Sequence, residues 1–561
     1  MVNQKASDYD VVVIGSGFGG SVAALRLTEK GYRVLVLEAG ARFEDNQFAK
    51  NSFDLKRFLF FPKLGLLGIQ RIDLLKNVLV MSGAGVGGGS LVYANTLYRP
   101  PATFYKTGSW AQIADWQTLL APYYSLAEKM LGVKVNPFFS PADLVLKKVA
   151  EGRGVGEGFQ MAPLGVYFAD KEGKHSKDPY FGGKGPARTS CINCGECMTG
   201  CRHGAKNTLV KNYLYLAENA GAEVWDLTTV NHIQEQTSGG FELNLARTAI
   251  SGKKRPPTIT ATQVIVAAGA LGTAKLLQKT KSRGGLKNLS ETLGELSRTN
   301  SESLLGVVAK KDEHDFHKGA AITSSIFPTS DTHIEPVRYG KGSGFMGIMQ
   351  TVIASGPNGE APNFKSLVKV TFKNIFRLPN FYNLRTWPER TLILLVMQSR
   401  DNSLTTFLKR SIFFGKKLTS RQGYGEVNPS WVPVGHEVAK DIANEINGTA
   451  GAVVGEPFGI PMTAHFLGGA VIGADAKSGV VDPYLRAFGV PGLHIWCGST
   501  LSANPGVNPS LSITAQAEWA AAHWPNIGEA DARPPLGYRF AQIRPIEPKF
   551  PVLPKSFKPS K

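Results

Sequence analysis

Apolar residues at the start of the chain come in short runs, and polar or glycine residues punctuate them. Residues 11–14, "VVVI", lead straight into the glycine cluster of "GSGFGG". The stretch "SVAALRLTEKG" (21–31) follows, and then a second apolar run, "RVLVLEAG" (33–40). A β-branched run, a glycine turn, an alternately apolar stretch and another run predict strand, turn, helix and strand. The same order recurs in "VIVAAGALGTAKLL" (264–277), where a strand ends in small residues. A different pattern occupies 364–421. Lys365, Lys369, Lys373 and Arg377 recur every four residues beside Phe364, Leu367, Val368, Phe372, Ile375 and Phe376. On a helix this is one basic stripe beside one apolar face. Such a helix either lies on an anionic membrane or packs its apolar face on the core. "LKRFLFFPKLGLLGIQR" (55–71) has the same character and is expected as a lid over a pocket.

The first turn carries chemistry. Gly15, Gly17 and Gly20 fit G-x-G-x-x-G between strand and helix. The first glycine permits the turn, the second lets backbone approach a pyrophosphate, and the third lets helix and strand pack closely. The helix N-terminus then offers free N–H groups to phosphate. Glu38, at the end of the second strand, stands where an acidic side chain accepts from ribose hydroxyls and repels a 2′-phosphate. A second glycine run, "SGAGVGGGSLVYANT" (82–96), places five glycines between Gly83 and Gly89, with Ser90 next. So little side-chain bulk lets backbone lie flat against a large planar ligand. Together the two runs imply FAD rather than NAD.

Charge and cysteine content add two points. The net charge of +19 over 561 residues suggests an anionic surface or substrate, or solubility with a few basic patches. No nucleic-acid motif accompanies it, and nucleic acid is not expected as a partner. No apolar stretch approaches the length of a membrane span, and the N-terminal run is too short and glycine-broken for a signal peptide. Four of the five cysteines fall within eleven residues, which favours a reducing compartment; the expected location is the cytoplasm, with or without peripheral membrane contact. Cys191, Cys194, Cys197 and Cys201 have the C-x2-C-x2-C-x3-C spacing of bacterial ferredoxins. Arg202 stands where those have proline, and no second motif exists. The readings are a [4Fe–4S] cluster, a [3Fe–4S] cluster, tetrathiolate zinc or free thiols.

The two glycine runs, "VIVAAGALGTAKLL" and "GVNPSLSITAQAEWAA" (506–521), resemble the glucose–methanol–choline (GMC) oxidoreductases, flavoenzymes that oxidise alcohols. "TNSES", "AITSSI" and "DTHIEPVRYGKGS" are most similar to the cholesterol-oxidising branch of that family. The resemblance spans about residues 8 to 525. It implies an α/β fold in which a Rossmann-like FAD-binding domain is interleaved with an α+β substrate domain built on a mostly antiparallel sheet. The expected FAD-binding parts are 8–109, 191–289 with the cysteine cluster, and 481–525. The expected substrate parts are 110–190 and 290–480, and 526–561 is expected as an extended proline-rich tail. Flavin contacts are implied for Gly15, Gly17, Gly20, Glu38, Gly83, Gly85, Gly88, Gly89, Ser90, Asn95, Val230, Ala268, Gly269, Gly498 and Asn508.

Alcohol oxidation needs a proton acceptor, donors that fix the oxygen, and an apolar wall. The resemblance assigns the acceptor to His465 of "TAHFLGG" and the oxygen contact to Asn508, whose backbone Pro509 restricts. Glu335 is implied as the carboxyl that moves a proton between steroid carbons, with burial raising its pKa. The competing readings are Glu302 in that role, or a plain Glu335–Arg338 ion pair. Where the family has an acid before the last flavin-contacting glycine, this chain has Cys497, a much weaker acceptor. The expected reaction converts a sterol 3β-hydroxyl to the ketone, with or without double-bond migration. Electrons pass to O2, or through a cluster to a protein or quinone acceptor. The alternatives are a dehydrogenase of another bulky alcohol and a flavin/iron–sulfur electron carrier.

Overall fold

The computed structural model describes residues 7–311, 314–354, 361–411 and 415–554. Its first layer is the expected strand–helix–strand unit. Strand Tyr9–Ile14 pairs in parallel with Val34–Leu37 on one side and Thr258–Val266 on the other. Helix Phe18–Glu29 is buried on nearly every side because it lies between this sheet and helices Ser510–Ala522 and Tyr213–Asn219. The Arg26 guanidinium reaches Glu518 across that packing at 2.9 Å, and Tyr213 donates to the same carboxylate at 2.6 Å. A buried pair of this kind does little for stability while intact, but removing one partner strands a charge.

Strand Thr258–Val266 is long enough to serve two neighbours. Its first half pairs antiparallel with Phe241–Arg247, and its second half pairs in parallel with Leu493–Ile495. Sheet order is Glu223–Trp225, Val34–Leu37, Tyr9–Ile14, Thr258–Val266, Phe241–Arg247, Thr228–Glu235, with Leu493–Ile495 alongside. Segments from both ends of the chain thus complete one nucleotide-type sheet.

The second layer is an antiparallel sheet. Its order is Gln350–Val352, Gly448–Val453, Ser303–Ala309, Thr391–Gln398, Thr332–Val337, Ser324–Thr329 and Gln160–Met161. Helices Pro141–Gly152 and Pro433–Glu445 cover one face of it over a core that includes Val307, Leu394, Val396 and Ile442. Near the junction with the first layer, a three-stranded ribbon pairs Met462–Thr463 with Leu79–Gly83 and Gln70–Leu74. That ribbon ties the glycine run to the segment carrying His465.

Three details differ from the sequence reading, and the tail follows it. The stretch 110–190 is divided between the two layers. Helix Trp116–Leu131 packs on helix Ser510–Ala522 beside the nucleotide sheet, through buried Trp116, Leu120 and Tyr124, and only Gln160–Met161 joins the second sheet. The basic helix spans Phe364–Lys373 and stops short of Arg377, where Asn374 closes it and Pro379 prevents its resumption in the same register. Segment 55–71 is mainly a small hairpin, Phe60–Phe61 on Leu66–Leu67, because Pro62 and left-handed Gly65 (φ +72°) turn the chain back. The end of the chain follows an extended path as far as residue 554, pinned where Phe550 donates to Glu29 O and Lys30 Nζ to Ile546 O. The last residues of the proline-rich tail lie outside the described residues.

Candidate active site

The two glycine runs meet face to face. Gly15 adopts φ +104°, and a Cβ there would stand 2.4 Å from Ala267 O. A Cβ on Gly88 would stand 2.6 Å from Gly17 Cα, and one on Gly40 would stand 2.0 Å from Gly85 N. Gly17, by contrast, has nothing within 4 Å, and the same holds for Gly269, just beyond Ala268 at the head of helix Gly269–Ser282. Backbone is packed tightly behind these turns and left open in front of them. That is the shape a dinucleotide needs.

Glu38 is nearly fully buried, and burial raises its pKa against the pull of several donors. It accepts from Ser16 Oγ at 2.7 Å, Ser16 N at 3.1 Å, Gly40 N at 2.8 Å and Gly85 N at 3.4 Å. The carboxylate thereby locks both glycine turns together, and its remaining lone pairs are what a ribose would use. Ser90 is committed internally, donating to Gly87 O at 2.7 Å and accepting from Leu209 N at 3.0 Å. Val230 lies at a bulge in strand Thr228–Glu235, whose first residue donates to Glu38 O. Cys497, at the head of the Gly498–Thr500 turn, has only hydroxyl neighbours, Ser499 Oγ at 3.0 Å and Thr273 Oγ1 at 3.3 Å.

Asn95 is the polar group that tests the fit. It is fully buried and holds φ +72°, and beyond a contact with the Cys197 sulfur its amide is unsatisfied. A strained residue with an unsatisfied buried amide is a cost that a bound group repays. The residues present therefore fit FAD. The turns at Gly15–Gly20, Gly83–Ser90 and Ala268–Gly269 would hold it, and Asn95 would reach its polar edge.

On the second-layer side, four functional groups converge. His465 Nδ1 stands 2.9 Å from Glu302 Oε2, and the glutamate is completely buried. Glu302 also accepts from Thr463 Oγ1 at 2.9 Å and Ala464 N at 3.0 Å, while His465 N donates to Thr463 Oγ1 at 2.9 Å. This web fixes the Glu302 carboxylate at ion-pair distance from the imidazole, although Nδ1 is not aligned with it as a hydrogen-bond donor. Asn508 Nδ2 donates to Glu335 Oε2 at 3.1 Å, and Asn508 Oδ1 and Glu335 Oε1 are both buried without partners. Burial pushes the Glu335 carboxyl up to about 8, with nearby Glu302 adding to the shift and the Asn508 bond opposing it. Tyr98, Val337, Leu395, Met397 and Val507 belong to one buried cluster at this strand, so the surroundings are apolar. His333, stacked on Phe327, is held neutral by burial, its pKa lowered to about 3.

Two of the competing sequence readings lose ground here. Arg338 donates to Lys318 O at 3.0 Å and Thr323 Oγ1 at 2.8 Å, so it makes no ion pair with Glu335. Glu302, completely buried, spends its oxygens on His465, Thr463 and Ala464. Sequence reasoning missed Glu302 as the partner of His465. It also missed Lys206, whose buried ammonium donates to Leu91 O, Tyr93 O and Cys197 O at 2.7–2.8 Å. Burial lowers its pKa to about 8. The four cysteines of the C-x2-C-x2-C-x3-C run lie together, lining one cavity beside this lysine.

Residues 187–294 and 418–517 match the family model described as GMC oxidoreductase, and residues 13–56 match the NAD(P)-binding Rossmann-like domain. The chain belongs to the GMC oxidoreductase family and is an FAD-dependent alcohol oxidoreductase. Among its relatives is the cholesterol oxidase of Mycobacterium tuberculosis, 54% identical over 556 residues that cover 98% of this chain and 96% of that one. The cholesterol oxidase of Acinetobacter baumannii is 42% identical over 92% of this chain and 94% of its own length. The fold is shared with pyridoxine 4-oxidase from Mesorbium loti at a TM-score of 0.59 and 15% identity, covering 91% and 98% of the two chains.

Proposed function

We propose that this chain oxidises the 3β-hydroxyl of a sterol to the 3-ketone and moves the ring double bond into conjugation with it. The observation that carries the reading is the buried Asn508–Glu335 pair set beside the His465–Glu302 pair. The 54% identity to a cholesterol oxidase supports it. Bound at the glycine turns, FAD supplies the hydride acceptor. His465 takes the hydroxyl proton, with the Glu302 carboxylate at ion-pair distance from its ring. Asn508 fixes the substrate oxygen. Glu335 then takes a proton from one steroid carbon and returns it to another. A carboxyl held near neutrality of charge by its apolar site suits both halves of that transfer.

The acceptor of the electrons is O2 in an oxidase, or an external protein or quinone if the cysteine chamber takes part. We also place the sterol-collecting face at the basic helix. Leu367 and Val370 pack on the cluster that contains Phe58, while Phe372 and Phe376 remain 69% and 95% exposed beside Lys369, Lys373 and Arg377. Apolar rings flanked by cations suit an anionic bilayer, where a sterol resides. Among the described residues no helix is long and apolar enough to cross a membrane.

Anaerobic mixing with a panel of alcohols tests the reading. A 3β-hydroxysteroid should bleach the flavin and yield the conjugated enone. Bleaching by small alcohols but not by the steroid would overturn it.

A further inference from the structure

We propose that Cys191, Cys194, Cys197 and Cys201 hold a [4Fe–4S] cluster. All four are unpaired, and all four line a single cavity together with Val166, His203, Lys206 and Gly319. The loop is wound to aim them inward. Asn193, Gly195 and Gly200 take φ +55°, +74° and +93°, and a Cβ on Gly195 would stand 2.2 Å from His317 O. Glycine at two of these positions and asparagine at the third let the loop turn this tightly around the sulfurs.

Backbone amides point at the sulfurs. Asn193 N–H donates to Cys191 Sγ at 3.4 Å, and the Glu196 and Ala321 amides serve Cys194 and Cys197 in the same way. Hydrogen bonds to cluster sulfurs are one of the means by which a protein sets a cluster's potential. The Lys206 ammonium adds a positive charge against the same sulfurs, held by three carbonyls including that of Cys197.

Sulfur spacing separates a cluster from a single ion. Four thiolates on one zinc, each at ~2.3 Å, must stand within ~3.8 Å of one another. Among the described residues, the donor atoms that gather within 4.8 Å are those of Cys194, Glu196 and His203, not any three of the cysteines. A cube binds each cysteine through a separate iron, so its ligands stand wider apart. The cysteines here enclose a space and do not converge on a point.

The chamber adjoins the flavin cradle. Cys191, Cys197 and Cys201 share one apolar cluster with Val507 and Ala94, the neighbours of Asn508 and Asn95. Set there, the cluster carries the two electrons of each oxidised alcohol out singly. Each goes to a one-electron acceptor of ferredoxin type while the two protons go to water, or both reach a quinone that takes up the two protons as it becomes the quinol. That role rests on the alcohol-oxidising reading; the presence of the cluster does not.

The test uses the full chain, isolated without oxygen and then incubated with ferrous iron, sulfide and thiol. About four irons and four sulfides per chain are expected, with a broad visible absorption beyond the flavin bands and a paramagnetic signal after dithionite reduction. Cys194→Ser and Cys197→Ser should each lose iron. Flavin content, read from the same samples, shows whether those variants have folded. Stoichiometric zinc, three irons with Cys201 free, or no iron in a flavin-loaded wild-type chain would overturn the proposal. Steroid bleaching, followed at the flavin bands, is scored separately, so failure of the substrate reading leaves the iron result standing, and the reverse.

Discussion

Glu302 and His465 are 2.9 Å apart, and the glutamate carboxylate beside the imidazole is itself fixed by Thr463 and Ala464 from the histidine's own loop. The loop thus holds the acid at ion-pair distance from the base. Glu302→Gln should lower the rate of flavin reduction by a 3β-hydroxysteroid on the order of 10²-fold, with little change in flavin content. Stopped-flow absorbance checks it.

His465→Ala removes the proton acceptor outright. Loss of flavin reduction on the order of 10²–10⁴-fold is expected, with FAD still bound. The same anaerobic mixing reads it, and an unchanged rate removes His465 from the chemistry.

Glu335→Gln should separate the two reactions. Alcohol oxidation continues, double-bond migration stops, and the unconjugated ketone accumulates, which chromatography of the product detects. In the unmodified protein, migration should speed up as pH rises toward about 8, because the carboxyl must lose its proton to act as base. Stability runs the other way. The raised carboxyl leaves the fold unpenalised below its ordinary value of 4.5, and stability is lost as pH climbs through about 8. Glu335→Gln should therefore melt higher than the parent at pH 8, and the gain should vanish near pH 4.5.

The glycine turns predict two different failures. Gly15→Ala combines φ +104° with a Cβ 2.4 Å from Ala267 O, so soluble protein and melting temperature should both fall. Gly17→Ala meets nothing within 4 Å and should fold normally, while its methyl group occupies the open face and lowers flavin occupancy. Melting curves and flavin-to-protein ratios distinguish the two.

Replacing Lys369 and Lys373 by Glu, or Phe372 and Phe376 by Ser, should weaken binding to anionic vesicles while leaving bleaching by detergent-solubilised steroid intact. Added salt should mimic the charge change. Vesicle sedimentation reads both.

How much of this was legible in the sequence depended on how local the signal was. Gly15, Gly17, Gly20 and Glu38 lie within one strand–helix–strand unit, so spacing alone placed them. His465, Asn508 and Glu335 came from resemblance, since nothing periodic marks a site assembled from three distant segments. The pairing of Glu302 with His465 was not legible because their contact joins two segments that no pattern connects. The 55–71 segment was given helical character because its composition matches that of 364–377, yet Pro62 and Gly65 were enough to fold it into a hairpin. Lys206 was missed since a buried lysine reads as a surface residue until three carbonyls are seen around it.

Strand Leu493–Ile495 adds to Thr258–Val266 late in the chain, beside a strand laid down near its beginning. Until that strand is in place, the half of the central strand beyond its pairing with Phe241–Arg247 has one flank bare. A chain cut short before residue 490 therefore presents an exposed strand edge, of the kind that pairs with other chains.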